Sequence, residues 1–153
     1  QAEDGIRDSV ASRGLGDVYK RQMLDVRENA QAMAKAFTDR GYHLISGGTD
    51  NHMMLVDLRN KNISGKQAEQ ALVKAEITAN KNMVPFDEKS PFITSGIRVG
   101  TAAGTTRGFK ENEMDLIASW IKNIIEDVDN EKLINQTKKE VTDLCGQFPV
   151  YSE

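Results

Sequence analysis

Several residue types are scarce in this sequence, and each scarcity excludes a class of protein. The 153 residues include a single cysteine, Cys145, which rules out an internal disulfide and indicates a reducing compartment. We therefore expect the chain in the cytoplasm. No histidine lies near Cys145 in sequence, so we expect a small apolar residue of the last helix there rather than a nucleophile.

Long apolar runs and an excess of positive charge are also absent from the sequence. No run approaches the roughly 20 apolar residues of a transmembrane helix, and no signal-peptide pattern is present. The net charge is -3, with no basic cluster, so we expect neither a nucleic-acid partner nor a membrane partner. Hydrophobic residues at 39% and charged residues at 28% are typical of a soluble globular chain.

The first 22 residues differ from the rest, because they combine glycines and scattered charges without a sustained helical or strand period. We interpret residues 1–22 as a poorly ordered leader or an appended segment, and predict one domain over residues 23–153. The alternative is a short native arm that packs on another chain or domain.

Beyond residue 22, helical and strand periods alternate along the chain. A helix is predicted from Met23 to an Arg40-Gly41 end signal, and another begins at Ser64, where Gln67 completes a capping box. Strands are predicted over residues 42–46, 53–58, 76–80 and 94–100, a loop over 104–108, and helices over 111–128 and 133–145. This order predicts an α/β fold of the α+β-like small-domain kind, with a small sheet packed against helices.

Arg98 is the strongest candidate for a ligand contact. It lies in the apolar run Thr94-Ser-Gly-Ile-Arg-Val-Gly100, where strand alternation places it opposite its two apolar neighbours and beside two glycines. A guanidinium group offers a rigid fork of donors that fits a carboxylate. The alternative, favoured by composition alone, is an ordinary arginine on a solvated strand face.

Two polar segments allow both a structural and a functional interpretation. Asn80-Lys81-Asn82 suits a plain turn, or amide groups directed at a heterocyclic ligand, and the turn is favoured when the segment is taken alone. Thr49-Asp50-Asn51-His52 pairs a histidine with an aspartate. No nucleophile or zinc-ligand spacing accompanies that pair, so a capped turn is favoured over a catalytic site.

Three further candidate positions lie outside these segments. Thr105-Thr106-Arg107-Gly108 suits either an anion-binding loop or a solvated loop, with equal support. No phosphate-binding glycine motif is present, so a nucleotide site has no support. Trp120 is expected to serve packing or an interface, and His43 is expected to be exposed at the start of a strand.

Several motifs follow one another between Val26 and Tyr151. They are Ser46-Gly-Gly-Thr-Asp-Asn-His52, Leu55-Val-Asp-Leu58, Asn80-Lys-Asn82, Ser90-Pro-Phe92, Thr94-Ser-Gly-Ile-Arg-Val-Gly-Thr101 and Thr106-Arg-Gly-Phe-Lys110. In this order and spacing they resemble the C-terminal part of serine hydroxymethyltransferase (glycine hydroxymethyltransferase) of the bacterial type.

The resemblance implies the small C-terminal domain of a fold-type I pyridoxal-phosphate enzyme. The implied reaction interconverts serine plus tetrahydrofolate and glycine plus 5,10-methylenetetrahydrofolate. Pyridoxal 5'-phosphate is expected to bind mainly to the family's large domain, which is missing here. The implied partners are glycine or serine, tetrahydrofolate, that large domain and, in the full-length family, the second subunit of a homodimer.

The resemblance also implies roles for individual residues and a limit on activity. Arg98 is expected to bind the substrate carboxylate, and Asn82, Ser90, Pro91 and Phe92 to contact folate. The family's Thr-rich motif ending in His-Lys, whose lysine forms the Schiff base, is absent, so we expect no catalytic residue in this chain and no turnover by the chain alone. The alternative is a non-catalytic amino-acid- or folate-binding module, or a structural module, that reuses the small-domain fold.

The sequence departs from the family pattern in the loops near these residues. Ala102 stands where proline is usual, Phe86 where the family is more polar, and Glu88 where proline is common. The last two departures weaken the expectation of folate contacts in that loop.

Overall fold

A computed structural model describes the backbone of residues 2–45 and 52–150, and the side chains from Gly16 onward within those ranges. The elements are α1 (Ala2–Asp39), β1 (His43–Leu44), β2 (Met53–Asp57), α2 (Gly65–Lys74), β3 (Asn80–Asn82), β4 (Gly96–Gly100), α3 (Ala102–Arg107), α4 (Glu111–Glu126) and α5 (Glu131–Gln147). Apart from α3, which is not predicted, these helices and strands follow one another in the predicted order.

The four strands form one antiparallel sheet in the order β1-β2-β4-β3. One face, here called the covered face, carries buried apolar side chains that pack against the helices: Leu44, Met54, Val56, Ile97 and Val99. The other, the open face, carries His43, Leu55, Asn80, Asn82 and Arg98 in the pleat alternation. The predicted fold class, a small sheet packed with helices, is confirmed.

The helices supply the core through the stripes that the sequence predicts. In α1 the buried residues Ala30, Met33, Ala34 and Phe37 recur at helical spacing, and α4 contributes Met114, Ala118, Ile121 and Ile124. Trp120 joins α4 to α5, because its indole Nε1 donates to Glu140 Oε2 at 2.6 Å. Trp120 is also buried in the hydrophobic core, which confirms packing, one of the two roles predicted for it.

Helix α2 begins as the capping box predicts and fixes the edge of the sheet. The backbone amide of Gln67 donates to the Ser64 hydroxyl, and Gln67 Oε1 accepts from the Ser64 amide. Farther along α2, the Glu69 carboxylate accepts from the backbone amide of Lys81 at 3.3 Å and from its ammonium group at 3.4 Å. The edge strand β3 is thus tied to α2.

Glycine is required at Gly65, the first residue of α2. A Cβ atom there would overlap Thr94 Oγ1 and the carbonyl oxygen of Gly96. The absent side chain lets the start of α2 lie directly against the backbone that leads into β4.

Three local predictions are wrong. Residues 104–108 are not a loop: α3 covers most of them, and Gly104 is there because a Cβ would lie 2.8 Å from the Phe109 ring. The extended segment predicted over 76–80 is instead a turn at Glu76, whose φ is +62°, and strand pairing begins only at Asn80. Asn80-Lys81-Asn82 is therefore a strand and not a turn.

Helix α1 continues back through residues 2–22, although the sequence there shows no apolar period. Its side chains Val18, Tyr19, Met23 and Leu24 are exposed. The interpretation of residues 1–22 as a leader outside the domain stays a prediction. Within the described ranges, no helix has both the length and the apolarity to cross a membrane.

Candidate functional site

Arg98 lies at the centre of the open face. The register places it between Leu55 of β2 and Asn80 of β3, while its neighbours Ile97 and Val99 are buried on the covered face, as predicted. Arg98 is exposed, and no described residue forms a hydrogen bond or an ion pair with its guanidinium group. No side chain in the described ranges therefore competes with a ligand carboxylate for its donors.

The two glycines that flank Arg98, Gly96 and Gly100, differ in how closely other atoms approach them. A Cβ at Gly96 would lie 2.7 Å from Val84 Cγ1 and 2.9 Å from the Val56 carbonyl oxygen, so only glycine fits. A Cβ at Gly100 would meet its nearest atoms at 3.5 Å, which is an ordinary contact. Close approach of neighbouring backbone therefore requires glycine at position 96 and not at position 100.

Asn82 shares the open face with Arg98. Its register partner is Gly96, whereas Asn80 is the partner of Arg98, so Asn82 and Arg98 are diagonal neighbours on adjacent strands. Such neighbours lie about 7–8 Å apart, within reach of one small ligand. Asn82 Nδ2 donates to the Met83 carbonyl at 2.9 Å, and its Oδ1 accepts no hydrogen bond from a described residue.

Ser90, Pro91 and Phe92 lie in the β3–β4 loop (residues 83–95), and all three are exposed. Phe92 is 80% exposed, so its ring is available for stacking. The pairing of β3 with β4 fixes where this loop begins and ends, because the loop leaves the sheet at Asn82 and returns at Gly96, two residues before Arg98.

The end of the β3–β4 loop docks on the first turn of α2. The amides of Gly65 and Lys66, which have no partner within the helix, donate to the carbonyls of Thr94 at 3.1 Å and Ile93 at 3.0 Å. Thr94 has a φ of +61°, which is unfavourable for a β-branched residue, and its hydroxyl donates to the Gly96 carbonyl at 3.2 Å. The docking on α2 holds this strained conformation.

Asp87 ties the two ends of the β3–β4 loop together. Its carboxylate accepts from the Ser95 hydroxyl at 2.7 Å, and from the backbone amides of Ser95 at 2.8 Å, Lys89 at 3.0 Å and Val84 at 3.3 Å. Partial burial alone would raise the pKa of Asp87, but these hydrogen bonds together lower it to about 2. The carboxylate is therefore charged at neutral pH.

A second carboxylate, Asp57, organises the corner where the open face meets the same loop. The Arg59 guanidinium donates to Asp57 through Nε at 3.0 Å and Nη2 at 2.6 Å, and Arg59 Nη1 reaches the Pro85 carbonyl at 3.4 Å. His43 Nδ1 lies 3.4 Å from Asp57 Oδ2. Burial alone would raise the pKa of Asp57, but its hydrogen bonds with Arg59 and His43 hold that pKa below its ordinary value.

The roles of Asp87, Asp57 and Arg59 are not predicted from the sequence, although Pro85-Phe86-Asp87 carries a turn signal. Nor is the role of Asn29, which is buried in α1 and donates to Thr105 Oγ1 and to the Phe109 carbonyl. The signal for Asn29 is an amide side chain inside an apolar helical stripe. Asn29 fixes α3 against α1, away from the open face.

The other sequence candidates do not join this site. Arg107 ends α3 and donates to the Phe148 carbonyl at 3.3 Å, while the hydroxyls of Thr105 and Thr106 donate to the carbonyls four residues earlier, at the start of α3. The segment is therefore largely a helix, and both of the predicted loop interpretations, anion-binding and solvated, are wrong about its structure. Residues 49–51 lie outside the described residues. The carbonyl of His52 accepts from the Thr101 amide at 2.9 Å, which is a structural contact.

The two remaining candidates lie as predicted. His43 is exposed at the start of β1, and Cys145 lies partly buried in α5, packed against the core. Among the described residues, no cluster of histidine, cysteine and carboxylate side chains could hold a metal ion. The open face around Arg98, with the β3–β4 loop beside it, is thus the candidate site.

Comparison with known proteins gives one consistent family. The model of the family described as serine hydroxymethyltransferase matches residues 9–121, which is more than half of the chain and begins before Met23. A serine hydroxymethyltransferase of Coxiella burnetii (strain CbuK_Q154) is 53% identical over 135 residues, covering 88% of this chain.

Relatives from other organisms agree with this match. A serine hydroxymethyltransferase of Dichelobacter nodosus is 52% identical over 135 residues, and one of Methanosarcina barkeri is 50% identical over 137 residues. The chain spans about a third of the length of these relatives, 32% for the first two and 33% for the third.

Proposed function

The chain belongs to the serine hydroxymethyltransferase family, and from that premise we propose that it acts as the C-terminal part of such an enzyme. The enzyme would interconvert serine plus tetrahydrofolate and glycine plus 5,10-methylenetetrahydrofolate in the cytoplasm. The observation that carries the proposal is the Arg98 guanidinium group, exposed on the open face without a partner among the described residues.

In this proposal Arg98 fixes the substrate through its carboxylate. Two parallel hydrogen bonds from one guanidinium group restrict both the position and the rotation of a carboxylate. Such restriction matters because the bond to be broken must stand in one orientation relative to the cofactor ring. Pyridoxal 5'-phosphate supplies the electron sink when it is bound, and the protein supplies orientation.

The folate contacts would come from Asn82 and from Ser90, Pro91 and Phe92. The Asn82 amide oxygen lies on the same face as Arg98 and accepts no hydrogen bond from a described residue, which suits a hydrogen bond from a heterocyclic N–H. The exposed ring of Phe92 offers a flat apolar surface against which a planar ligand can pack. The amino acid and the folate would thus meet at the edge where β3 and β4 pair.

The described part of the chain does not fit pyridoxal phosphate by itself. None of its lysines is buried, whereas an amine that forms a Schiff base is activated by desolvation or by a neighbouring cation. We propose that the remaining two-thirds of the enzyme binds the cofactor mainly, that the assembled enzyme is a homodimer, and that this chain alone has no turnover.

The decisive experiment uses a complete enzyme in which residues 23–153 replace the matching third of the Coxiella burnetii relative. Arg98→Lys keeps the charge but loses the fork. We expect the KM for serine and the Kd for glycine to rise at least about tenfold, the equivalent of roughly 1.4 kcal/mol, with cofactor absorbance unchanged.

Arg40→Lys is the matched control, because Arg40 also offers its fork to a carboxylate, that of Asp115, at the end of α1. It should leave both constants within about twofold. Unchanged affinity for both amino acids in Arg98→Lys would remove Arg98 from the site.

The isolated chain tests the remaining claim. Mixing it with pyridoxal phosphate and borohydride should give only scattered lysine labelling, and a stoichiometric adduct at one lysine would contradict the proposed inactivity. Calorimetry with glycine and tetrahydrofolate tests the alternative, a stand-alone binding module. Only such a module is expected to bind these ligands tightly as an isolated chain.

A further inference from the structure

We propose that Asp87 is a positioning residue for the folate contacts, because its carboxylate fastens the two ends of the β3–β4 loop that carries Ser90, Pro91 and Phe92. This inference rests on the folate role proposed above. It assigns the positioning to a residue that does not itself touch the ligand.

The first argument is the pattern of hydrogen bonds at Asp87. Val84 lies near the start of the loop and Ser95 at its end, and one carboxylate accepts from both: from the Val84 amide at 3.3 Å, and from the Ser95 amide at 2.8 Å and hydroxyl at 2.7 Å. A carboxylate can accept several hydrogen bonds at once, and charge-assisted bonds are stronger than neutral ones. Asp87 thus closes the loop in place of a strand ladder.

The second argument is what the closed loop presents to solvent. Phe92 is 80% exposed and Phe86 is 97% exposed, so neither ring is held by packing. Phe86 also has a φ of +57°, which is costly for a bulky residue. The direction of these rings is therefore set by the loop backbone, whose fixed points are Asp87 and the docking of Ile93 and Thr94 on α2.

A third contact supports the same closure from outside the loop. Arg59, which is held by Asp57, donates to the Pro85 carbonyl at 3.4 Å. The low pKa of Asp87 keeps its carboxylate charged, and so able to accept all its hydrogen bonds, throughout the neutral range.

The first test measures loop closure in the full 153-residue chain by amide hydrogen exchange. Asp87→Asn keeps the size of the side chain but removes the charge and one acceptor. We expect the Ser95 amide to exchange at least tenfold faster, while the amides of β4 keep their rates. Glu88→Gln is the matched control, because Glu88 is the adjacent carboxylate and accepts no hydrogen bond from a described residue.

The second test measures the ligand in the complete hybrid enzyme described above. Asp87→Asn should raise the KM for tetrahydrofolate at least tenfold and leave the KM for serine within twofold. A purely structural role would change both constants or only the stability. Ser95→Ala removes a single hydroxyl donor and should give a smaller change in the same direction, which keeps the test valid if Asp87→Asn folds poorly.

The outcomes separate this inference from the proposed function. An unchanged Ser95 exchange rate in Asp87→Asn overturns the inference directly. If Phe92→Ala raises the KM for tetrahydrofolate while Asp87→Asn leaves it unchanged, the inference is overturned and the folate role stands. If neither variant changes that KM, the folate role itself is overturned, and the inference with it.

Discussion

The covered and open faces of the sheet use the same strands in opposite ways. On the covered face, Val56 and Ile97 are fully buried against the helices. On the open face, directly beside them in sequence, Leu55 is only partly buried and Arg98 is exposed. Strand alternation thus lets every second residue of one segment stabilise the fold and leaves the others available for the proposed binding.

The difference between the faces predicts where substitutions should affect folding stability and where they should affect ligand binding. Buried apolar contacts dominate the free energy of folding, whereas exposed charges contribute little to it. An open face that is spared from packing can carry an unpaired guanidinium group, which a core could not tolerate.

Breaking the covered face should give the largest change in stability. Ile97→Ala removes a fully buried side chain between β2 and the helices, and we expect a loss of about 2–5 kcal/mol. Arg98→Ala, one residue farther on, should stay within about 0.5 kcal/mol. Urea unfolding of the isolated chain, followed by circular dichroism, measures both. Similar losses for the two variants would show that the two faces are equally packed.

The polar corner of the open face should give an intermediate effect that depends on pH. Asp57→Asn loses the ion pair with Arg59, and we expect a loss of about 1–3 kcal/mol at pH 7. The pKa of Asp57 is lower when folded, so its contribution is complete above the unfolded pKa of about 3.9 and is lost as pH falls through the folded pKa.

Stability curves between about pH 7 and pH 2 test this assignment. The difference between the original chain and Asp57→Asn should shrink on acidification below about pH 4. Asp87 should contribute to the same acid limb, because its pKa is also lowered, to about 2. A difference that stays constant at all pH values would mean that the charge of Asp57 does not matter.

The smallest expected effect is a gain in stability at the loop beside the open face. Val84 to Asp87 form a turn, closed by the Asp87 amide on the Val84 carbonyl at 3.1 Å, with Phe86 at the position that favours glycine or asparagine. Phe86→Asn should therefore raise the free energy of unfolding by about 1 kcal/mol.

Phe92→Asn is the control for this gain. Phe92 is also exposed but does not have a positive φ, so the same exchange there should change the stability by less than about 0.5 kcal/mol. Thermal unfolding of the two variants measures both changes in stability. A loss of stability in Phe86→Asn would mean that the ring makes a stabilising contact.

The sequence predicts best where the physical cause is local. The Ser64–Gln67 capping box, the apolar stripes of α1 and α4, and the outward direction of Arg98 each depend on residues a few positions apart. These predictions are confirmed, because the helical and strand periods alone decide which side chains share a face.

The sequence predicts poorly where contacts with residues distant in the chain determine the local structure. Gly104 suggests a loop, yet it lies within α3. Glycine is needed there because the Phe109 ring packs where a Cβ atom would be. Asn80 to Asn82 suit a turn by composition, but pairing with β4 makes them a strand. The site itself depends on the same pairing, so its residues could be named from family motifs while its geometry could not be derived.

The contact between Glu69 and Lys81 has a consequence for solubility. β3 is one of the two outer strands of the sheet, and outer strands invite pairing with other molecules through their free backbone groups. Here the strand has only three residues, its central amide donates to Glu69, and its central side chain is charged. The edge beside the proposed ligand site is thus protected against strand-to-strand aggregation while its side chains stay open to small molecules.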